Sequence, residues 1–202
     1  MPLELIRKNS PLIVTLPYTG VLMPRALVQR LADQKQFFAA PDRFLLRLLS
    51  GDSNAASLLQ ANFHRFLSDV DHAQLRSDEK PHSGMLSSVP LLDRDGAPIW
   101  NLPPGPREAR TWRAMYYAPY HAALATQIAR TRAQFGHAIV LNLRARHAPL
   151  ATAQDDPERF IGFGNRNGTS CDIDLSVNII KMLKSNKEFL PKLNRDIYAG
   201  GT

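Results

Sequence analysis

The sequence has few of the features that identify secreted or membrane proteins. Its single cysteine, Cys171, excludes an internal disulfide bond and fits a reducing compartment. No run of about 18 uninterrupted apolar residues occurs, so we expect no transmembrane helix and no membrane partner. The N-terminus carries Glu4 and lacks the apolar region of a signal peptide. These absences favour a cytoplasmic protein.

Acidic residues are in the minority, because 25 lysines and arginines against 18 aspartates and glutamates give a net charge of +7. Such a balance permits nucleic-acid binding. The cations are scattered, however, and the glycine loops and stacking aromatics of RNA-binding modules are missing. We therefore expect a solvated basic surface and no nucleic-acid partner. The 202 residues, 44% of them hydrophobic, suffice for one domain with a substantial core.

Apolar runs alternate with helical patterns along the chain. Residues 11–17, 63–70 and 138–143 predict strands, the last of them buried. Residues 111–135 have the apolar spacing of a helix, which Pro119 is expected to kink or split before Gly136 ends it. This alternation predicts an α/β fold with helices on both faces of the sheet.

Two aspartates predict the beginnings of further helices. Asp42 follows a proline and precedes apolar residues at helical spacing, and Asp172 stands before a second such segment. Aspartate is a favoured N-cap because its carboxylate accepts hydrogen bonds from the first backbone N–H groups. Between the two, residues 159–164 predict a short strand.

The carboxyl end of the predicted strand 138–143 carries Arg144, Arg146 and His147. In open α/β sheets, reactive groups lie just beyond this end of the strands. Two guanidinium groups repel a divalent cation and attract a carboxylate or a phosphate. We therefore expect either an anion at this strand end or an ion pair of Arg144 with Asp42 or Asp71, and we favour the ion pair.

Five stretches, in order along nearly the whole chain, resemble motifs of the N-formylglutamate amidohydrolase family. They lie at residues 11–24, at 63–69, at 112–136 with its Pro119-Tyr120-His121, at 163–172, and at Asn194 with Gly200-Gly201. Members of that family are zinc-dependent hydrolases of histidine degradation that convert N-formyl-L-glutamate to formate and glutamate. The resemblance implies a single domain over residues 1–202. It also implies a three-layer αβα fold with a mixed, mainly parallel central sheet, as in zinc-dependent exopeptidases.

The zinc ligands implied by the resemblance are largely replaced. Tyr18 stands where the family has its first histidine ligand, and Arg144 where it has its second, in the segment that begins at Asn142. A phenol must lose a proton with a pKa of about 10 before it binds zinc, and a guanidinium has no lone pair to donate. Only Asp42 remains, and one carboxylate does not hold a catalytic zinc ion. We therefore expect no cofactor.

The substrate side of the family's site is altered as well. The family's arginine that binds the substrate carboxylate is replaced in the segment Asp69-Val70-Asp71-His72, where Asp71 would repel an anion. The family also continues beyond its double glycine into a segment with a catalytic glutamate, whereas this sequence stops at Thr202. We therefore expect the C-terminal part of the family domain to be missing and the protein to be catalytically impaired.

Two alternative functions remain open. The first is a hydrolase with a relocated metal site, built from Asp42, Asp69, Asp71 and His72, with His64 as a further candidate. The second is a module that binds a small carboxylate or another anion without turnover. Its candidate residues are Arg65, Asp71, His72, Arg144 and Arg146 around the remnant pocket of Tyr18, Asp42, Asn142 and Arg144. Missing strands would also leave a sheet edge open to self-association.

Overall fold

A computed structural model describes residues 1–49, 55–71, 84–93, 96–145 and 160–194 of the chain. The chain divides into two compact units, Met1–Ala145 and Arg146–Thr202. The elements of the first unit, in chain order, are β1 (Leu3–Ile6), β2 (Leu12–Leu16), α1 (Arg25–Val28), α2 (Gln34–Ala39), α3 (Arg43–Leu48), β3 (Ser57–Ala61), β4 (Met85–Leu86), β5 (Val89–Pro90), α4 (Pro106–Trp112), α5 (Ala118–Phe135) and β6 (Ile139–Asn142).

The first unit is built on a four-stranded sheet with the strand order β1-β3-β2-β6. Strand β2 pairs in parallel with both β3 and β6, and β1 pairs antiparallel with β3. The predicted mixed, mainly parallel central sheet is therefore confirmed. Strand β6 lies at the edge of this sheet, and its Val140 is 41% exposed. The prediction of a buried strand at residues 138–143 is wrong in that respect, because an apolar run alone does not distinguish a central strand from an edge strand.

Helices cover both faces of the sheet. Successive strand residues point to opposite faces. In β3, Leu59 belongs to the same buried cluster as Tyr120 of α5, whereas Leu58 packs with the cluster that contains Leu45 of α3. The first unit thus has the three-layer αβα arrangement expected from the sequence.

The long helical segment is divided as Pro119 predicts. Helix α4 is followed by a π-helical turn at Arg113–Tyr117, and α5 begins directly after it. Pro119 is the second residue of α5, and the π-helical turn directly precedes the position at which the proline removes an N–H donor from the helix. Gly136 ends the helix with a φ of 77°, a left-handed conformation that glycine adopts without steric cost.

The strand predicted at residues 63–70 is wrong. Strand β3 ends at Ala61, and a turn follows in which the N–H of Leu67 donates to the carbonyl of His64. Nearly all residues from 63 to 71 are buried, without the alternation of a half-exposed strand. A loop that is covered on all sides is as apolar as a buried strand, so the two are alike in sequence.

The described residues of the second unit, 160–194, contain a pair of parallel strands and one helix. Strands β7 (Phe160–Phe163) and β8 (Leu190–Leu193) pair with each other, and α6 spans Ile173–Ser185. The carboxylate of Asp172 accepts the backbone N–H groups of Asp174 and Leu175. The predicted strand at 159–164 and the predicted cap at Asp172 are confirmed. Within the described ranges, no helix has the length and apolarity needed to cross a membrane.

Gly20 lies where the chain after β2 passes close to the backbone after β3. A Cβ atom at this position would lie 2.2 Å from the carbonyl oxygen of Phe63 and 2.4 Å from the carbonyl carbon of Asn62. Both are backbone atoms, so they cannot rotate away as a side chain would. We expect Gly20→Ala to lower the free energy of unfolding by about 2 kcal/mol or more, measured by urea denaturation. Gly105→Ala is the matched control, because a Cβ there has no neighbour within 4 Å.

His64 is fully buried between Phe37, which stacks on its ring at 4.7 Å, and Phe66. Its Nε2 lies 3.2 Å from the carbonyl oxygen of Phe37, and its Nδ1 accepts the N–H of Phe66. Because a carbonyl only accepts, Nε2 carries the hydrogen and the ring is neutral. Burial lowers the pKa of His64 to about 4.

This pKa makes His64 a source of acid sensitivity. An unfolded histidine has a pKa of about 6.5. Between pH 6.5 and pH 4 the unfolded chain therefore binds more protons than the folded chain, and the free energy of unfolding decreases as the pH is lowered. We expect this residue alone to remove about 2 kcal/mol of stability between pH 7 and pH 5. Urea unfolding of wild type and His64→Gln at both pH values isolates the effect. Equal pH dependence in the two proteins would contradict it.

Candidate functional site

Most of the residues singled out in the sequence meet at one end of the central sheet. Since β2, β3 and β6 are parallel, their carboxyl ends lie at the same edge. Tyr18 follows β2, Asp69 and Asp71 lie in the loop after β3, and Arg144 follows β6. Asp42 immediately precedes α3.

Tyr18 is a buried hydrogen-bond donor. Its hydroxyl donates to Oδ1 of Asp69 at 2.8 Å, and Oδ2 of Asp71 lies 3.3 Å away. Burial, followed by the negative charge of Asp69, raises the pKa of the phenol well above its usual range. The single hydroxyl proton therefore stays on Tyr18 and is shared between two carboxylates.

Asp71 is 5% exposed and has donors on both carboxylate oxygens. Arg144 donates through Nη1 to Oδ2, and Asn142 donates through Nδ2 to Oδ1 at 2.5 Å. Thr15 donates to Oδ1 of Asn142, which fixes the orientation of the amide. Burial raises the pKa of Asp71, and the charge of Arg144 is the largest influence that lowers it. The predicted ion pair of Arg144 is thus confirmed, with Asp71 as its partner.

Arg65 places a second positive charge in the cluster. Its Nη2 lies 3.5 Å from Oδ2 of Asp69, and its guanidinium carbon lies 3.7 Å from the centre of the Tyr18 ring. The sequence suggests Arg65 as an anion-binding residue. In the structure its guanidinium contacts the Asp69 carboxylate and the Tyr18 ring. A cation over a ring face is stabilised by the ring quadrupole, more so when both are buried.

Asp42 links the beginning of α3 to the segment that follows β6. Its backbone N–H donates to the carbonyl of Tyr18 at 2.8 Å, and its Oδ2 accepts the N–H of Ala145 at 2.7 Å. Asp42 is the N-cap residue of α3, as predicted, but its side chain makes no capping hydrogen bond. The carboxylate instead stabilises a strand end that lies far away in sequence.

Three hydrogen bonds fix the loop that carries Asp69 and Asp71. The N–H of Asp69 donates to the carbonyl of Ser88 at 2.7 Å, and the N–H of Asp71 donates to Oδ1 of Asp69 at 3.0 Å. The carbonyl of Val70 accepts from Nε2 of His121 at 3.0 Å. His121 of α5 thus helps to fix the backbone of the loop. The sequence does not indicate that the carbonyl of Ser88 accepts this hydrogen bond, because every residue has a backbone carbonyl and only the fold decides which one lies near Asp69.

The remaining candidates do not join this cluster in the described structure. His72, Arg146 and His147 lie outside the described residues. Among the residues that are described, no three histidine, cysteine, aspartate or glutamate side chains are placed to hold a metal ion, so Asp42, Asp69 and Asp71 do not form such a group. Both ring nitrogens of His64 are engaged in hydrogen bonds. The relocated metal site therefore has no support from these residues.

Comparison with solved structures confirms the fold. The crystal structure of N-formylglutamate amidohydrolase from Ralstonia eutropha JMP134 superposes with a TM-score of 0.76 at 21% identity, covering 98% of this chain and 78% of that one. A gene product of Agrobacterium tumefaciens gives a TM-score of 0.67 at 17% identity, covering 96% of this chain and 71% of that one.

Curated sequences agree with the structural comparison. The chain is 25% identical over 178 residues to N-formylglutamate deformylase of Pseudomonas aeruginosa, covering 86% of this chain and 66% of that protein. It is 25% identical over 167 residues to that of Pseudomonas putida, covering 80% and 61%. The chain thus spans somewhat less than two thirds of the length of these relatives. The family model described as N-formylglutamate amidohydrolase matches residues 10–202. The chain therefore belongs to the N-formylglutamate amidohydrolase family.

Proposed function

We propose that this chain is a non-hydrolytic member of its family, which does not convert N-formyl-L-glutamate to formate and glutamate. The observation that carries the proposal is the closed polar network around Asp71. This buried carboxylate receives hydrogen bonds from Arg144 and Asn142 and lies beside the hydroxyl of Tyr18. Two of these donors stand at the positions where the family resemblance implies zinc-binding histidines.

The residues present do not fit a zinc ion. Tyr18 keeps its proton, because burial and a neighbouring carboxylate raise its pKa, and a protonated phenol is a poor metal ligand. Arg144 carries a permanent positive charge and offers no lone pair. Asp42 offers one carboxylate, whose Oδ2 accepts the N–H of Ala145. Three protein ligands are usual for a catalytic zinc site, so this set is insufficient.

The cluster is also unsuited to the family's anionic substrate. The resemblance places a substrate-binding arginine next to Asp71, at the position of His72. Asp71 is a buried carboxylate, and a substrate carboxylate beside it would meet charge repulsion. The guanidinium of Arg65 faces Asp69 instead. Both the metal and the substrate requirements of the family reaction are therefore unmet by these residues.

One observation favours a second function, the binding of a small carboxylate or another anion. The side chain of Arg144 is 36% exposed, and within the described residues it pairs with Asp71 alone. The guanidinium therefore has further N–H groups that can reach a ligand. Its pairing with Asp71 weakens this attraction, so we place the function second. A cytoplasmic location and self-association through a sheet edge stay predictions.

The proposal is tested with protein purified without chelators. We expect substoichiometric zinc by elemental analysis and no release of formate from N-formyl-L-glutamate above the rate without protein. The deformylase of Pseudomonas aeruginosa, assayed in parallel, is the positive control. Stoichiometric zinc together with formate release by this chain would refute the proposal.

If Tyr18 has become a structural donor, its hydroxyl contributes to stability. We expect Tyr18→Phe to lower the free energy of unfolding by about 2 kcal/mol, because the variant leaves carboxylate oxygens of Asp69 and Asp71 without their shared donor. Urea denaturation measures the change. Tyr116→Phe is the matched control, since the Tyr116 hydroxyl makes no hydrogen bond within the described residues. An unchanged midpoint for Tyr18→Phe would count against the structural role.

A further inference from the structure

We propose that Arg144 is a tethered counter-ion. Its guanidinium supplies from within the chain the positive charge that the buried carboxylate of Asp71 requires, and a soluble guanidinium ion can take its place when the side chain is removed. The inference rests on the proposed function, in that it assumes the positive charge at this site to come from the chain and not from a bound metal ion.

The need for a counter-ion follows from the pair of aspartates. Asp69 and Asp71 are both buried, and the hydroxyl of Tyr18 lies within hydrogen-bond distance of both. Two carboxylates that share a site repel each other and are difficult to keep ionised together. The neutral hydroxyl of Tyr18 donates a hydrogen bond but adds no positive charge to offset the two carboxylates. Each aspartate therefore needs a cation of its own.

Among the described residues, each aspartate has one arginine as its ion-pair partner. Arg65 lies against Asp69, and Arg144 lies against Asp71. The two differ in their surroundings, because Arg65 is packed on the ring of Tyr18 whereas the side chain of Arg144 is 36% exposed. Arg144 is consequently the cation that solvent can reach and that a solute can replace.

The other groups around Asp71 do not depend on Arg144. Asn142 donates to Oδ1 and is itself held by Thr15, and Asp71 is fixed through its backbone N–H to Asp69. These contacts remain when the Arg144 side chain is truncated. The carboxylate then has an oxygen, Oδ2, that faces a space the size of a guanidinium group. A planar cation with several N–H donors matches a carboxylate of this kind.

The experiment measures thermal unfolding of Arg144→Ala with and without methylguanidinium chloride at millimolar concentration, against sodium chloride at equal ionic strength. We expect the variant to melt about 4 °C below wild type, and methylguanidinium to recover a substantial part of that loss. Wild type and Arg132→Ala, which removes an exposed arginine elsewhere, are expected to show no recovery.

Two further variants separate charge from shape. Arg144→Lys keeps the positive charge and is expected to melt closer to wild type than Arg144→Ala does. Arg144→Ala combined with Asp71→Asn removes both charges, so it is expected to melt above the single variant and to ignore methylguanidinium. If Arg144→Ala does not fold, folding of the lysine variant and of the double variant supports the proposal, and failure of both overturns it.

The proposal is also overturned if Arg144→Ala melts like wild type, or if methylguanidinium stabilises the double variant equally. Its failure is distinct from failure of the proposed function. Zinc-dependent formate release by the wild type refutes the non-hydrolytic assignment whatever the guanidinium result. Absence of guanidinium recovery, with no zinc and no formate release, refutes only the tethered counter-ion.

Discussion

The arrangement of the site depends on one constraint, the burial of the Asp71 carboxylate. A buried ionised group must be paired and hydrogen-bonded, because water no longer solvates it. Arg144 and Asn142 meet this need as donors, and Tyr18 lies close enough to share its proton. A zinc site requires the opposite polarity, since its ligands present lone pairs to a cation. In this chain Tyr18, Asn142 and Arg144 present hydrogens to an anion.

The pairing of the strands brings these side chains together. Parallel pairing of β2 with β3 and β6 brings three strand ends to one edge. The loop with Asp69 and Asp71 is then fixed through backbone hydrogen bonds, to Ser88 on one side and to His121 on the other. The same scaffold can therefore persist whether the groups above it bind a metal ion or each other.

Local signals made much of the fold predictable. Proline-bounded and apolar runs identified β2 and β6, and Pro119 and Asp172 marked the division of one helix and the beginning of another. Residues 63–70 were assigned wrongly, because a covered loop and a buried strand have the same apolar composition. From the sequence, the ion-pair partner of Arg144 could be limited to Asp42 or Asp71 but not chosen between them. Choosing between them requires the positions of loops that meet only in the folded chain.

Tyr18 and Arg144 act on the paired aspartates in different ways. The hydroxyl of Tyr18 lies within hydrogen-bond distance of both Asp69 and Asp71 but carries no charge. Arg144 brings a permanent positive charge to Asp71, while the guanidinium of Arg65 lies beside Asp69. Together, the phenol supplies the shared hydrogen bond and the guanidinium supplies the charge. The family's fold is thus kept around strand ends whose polar side chains pair with one another.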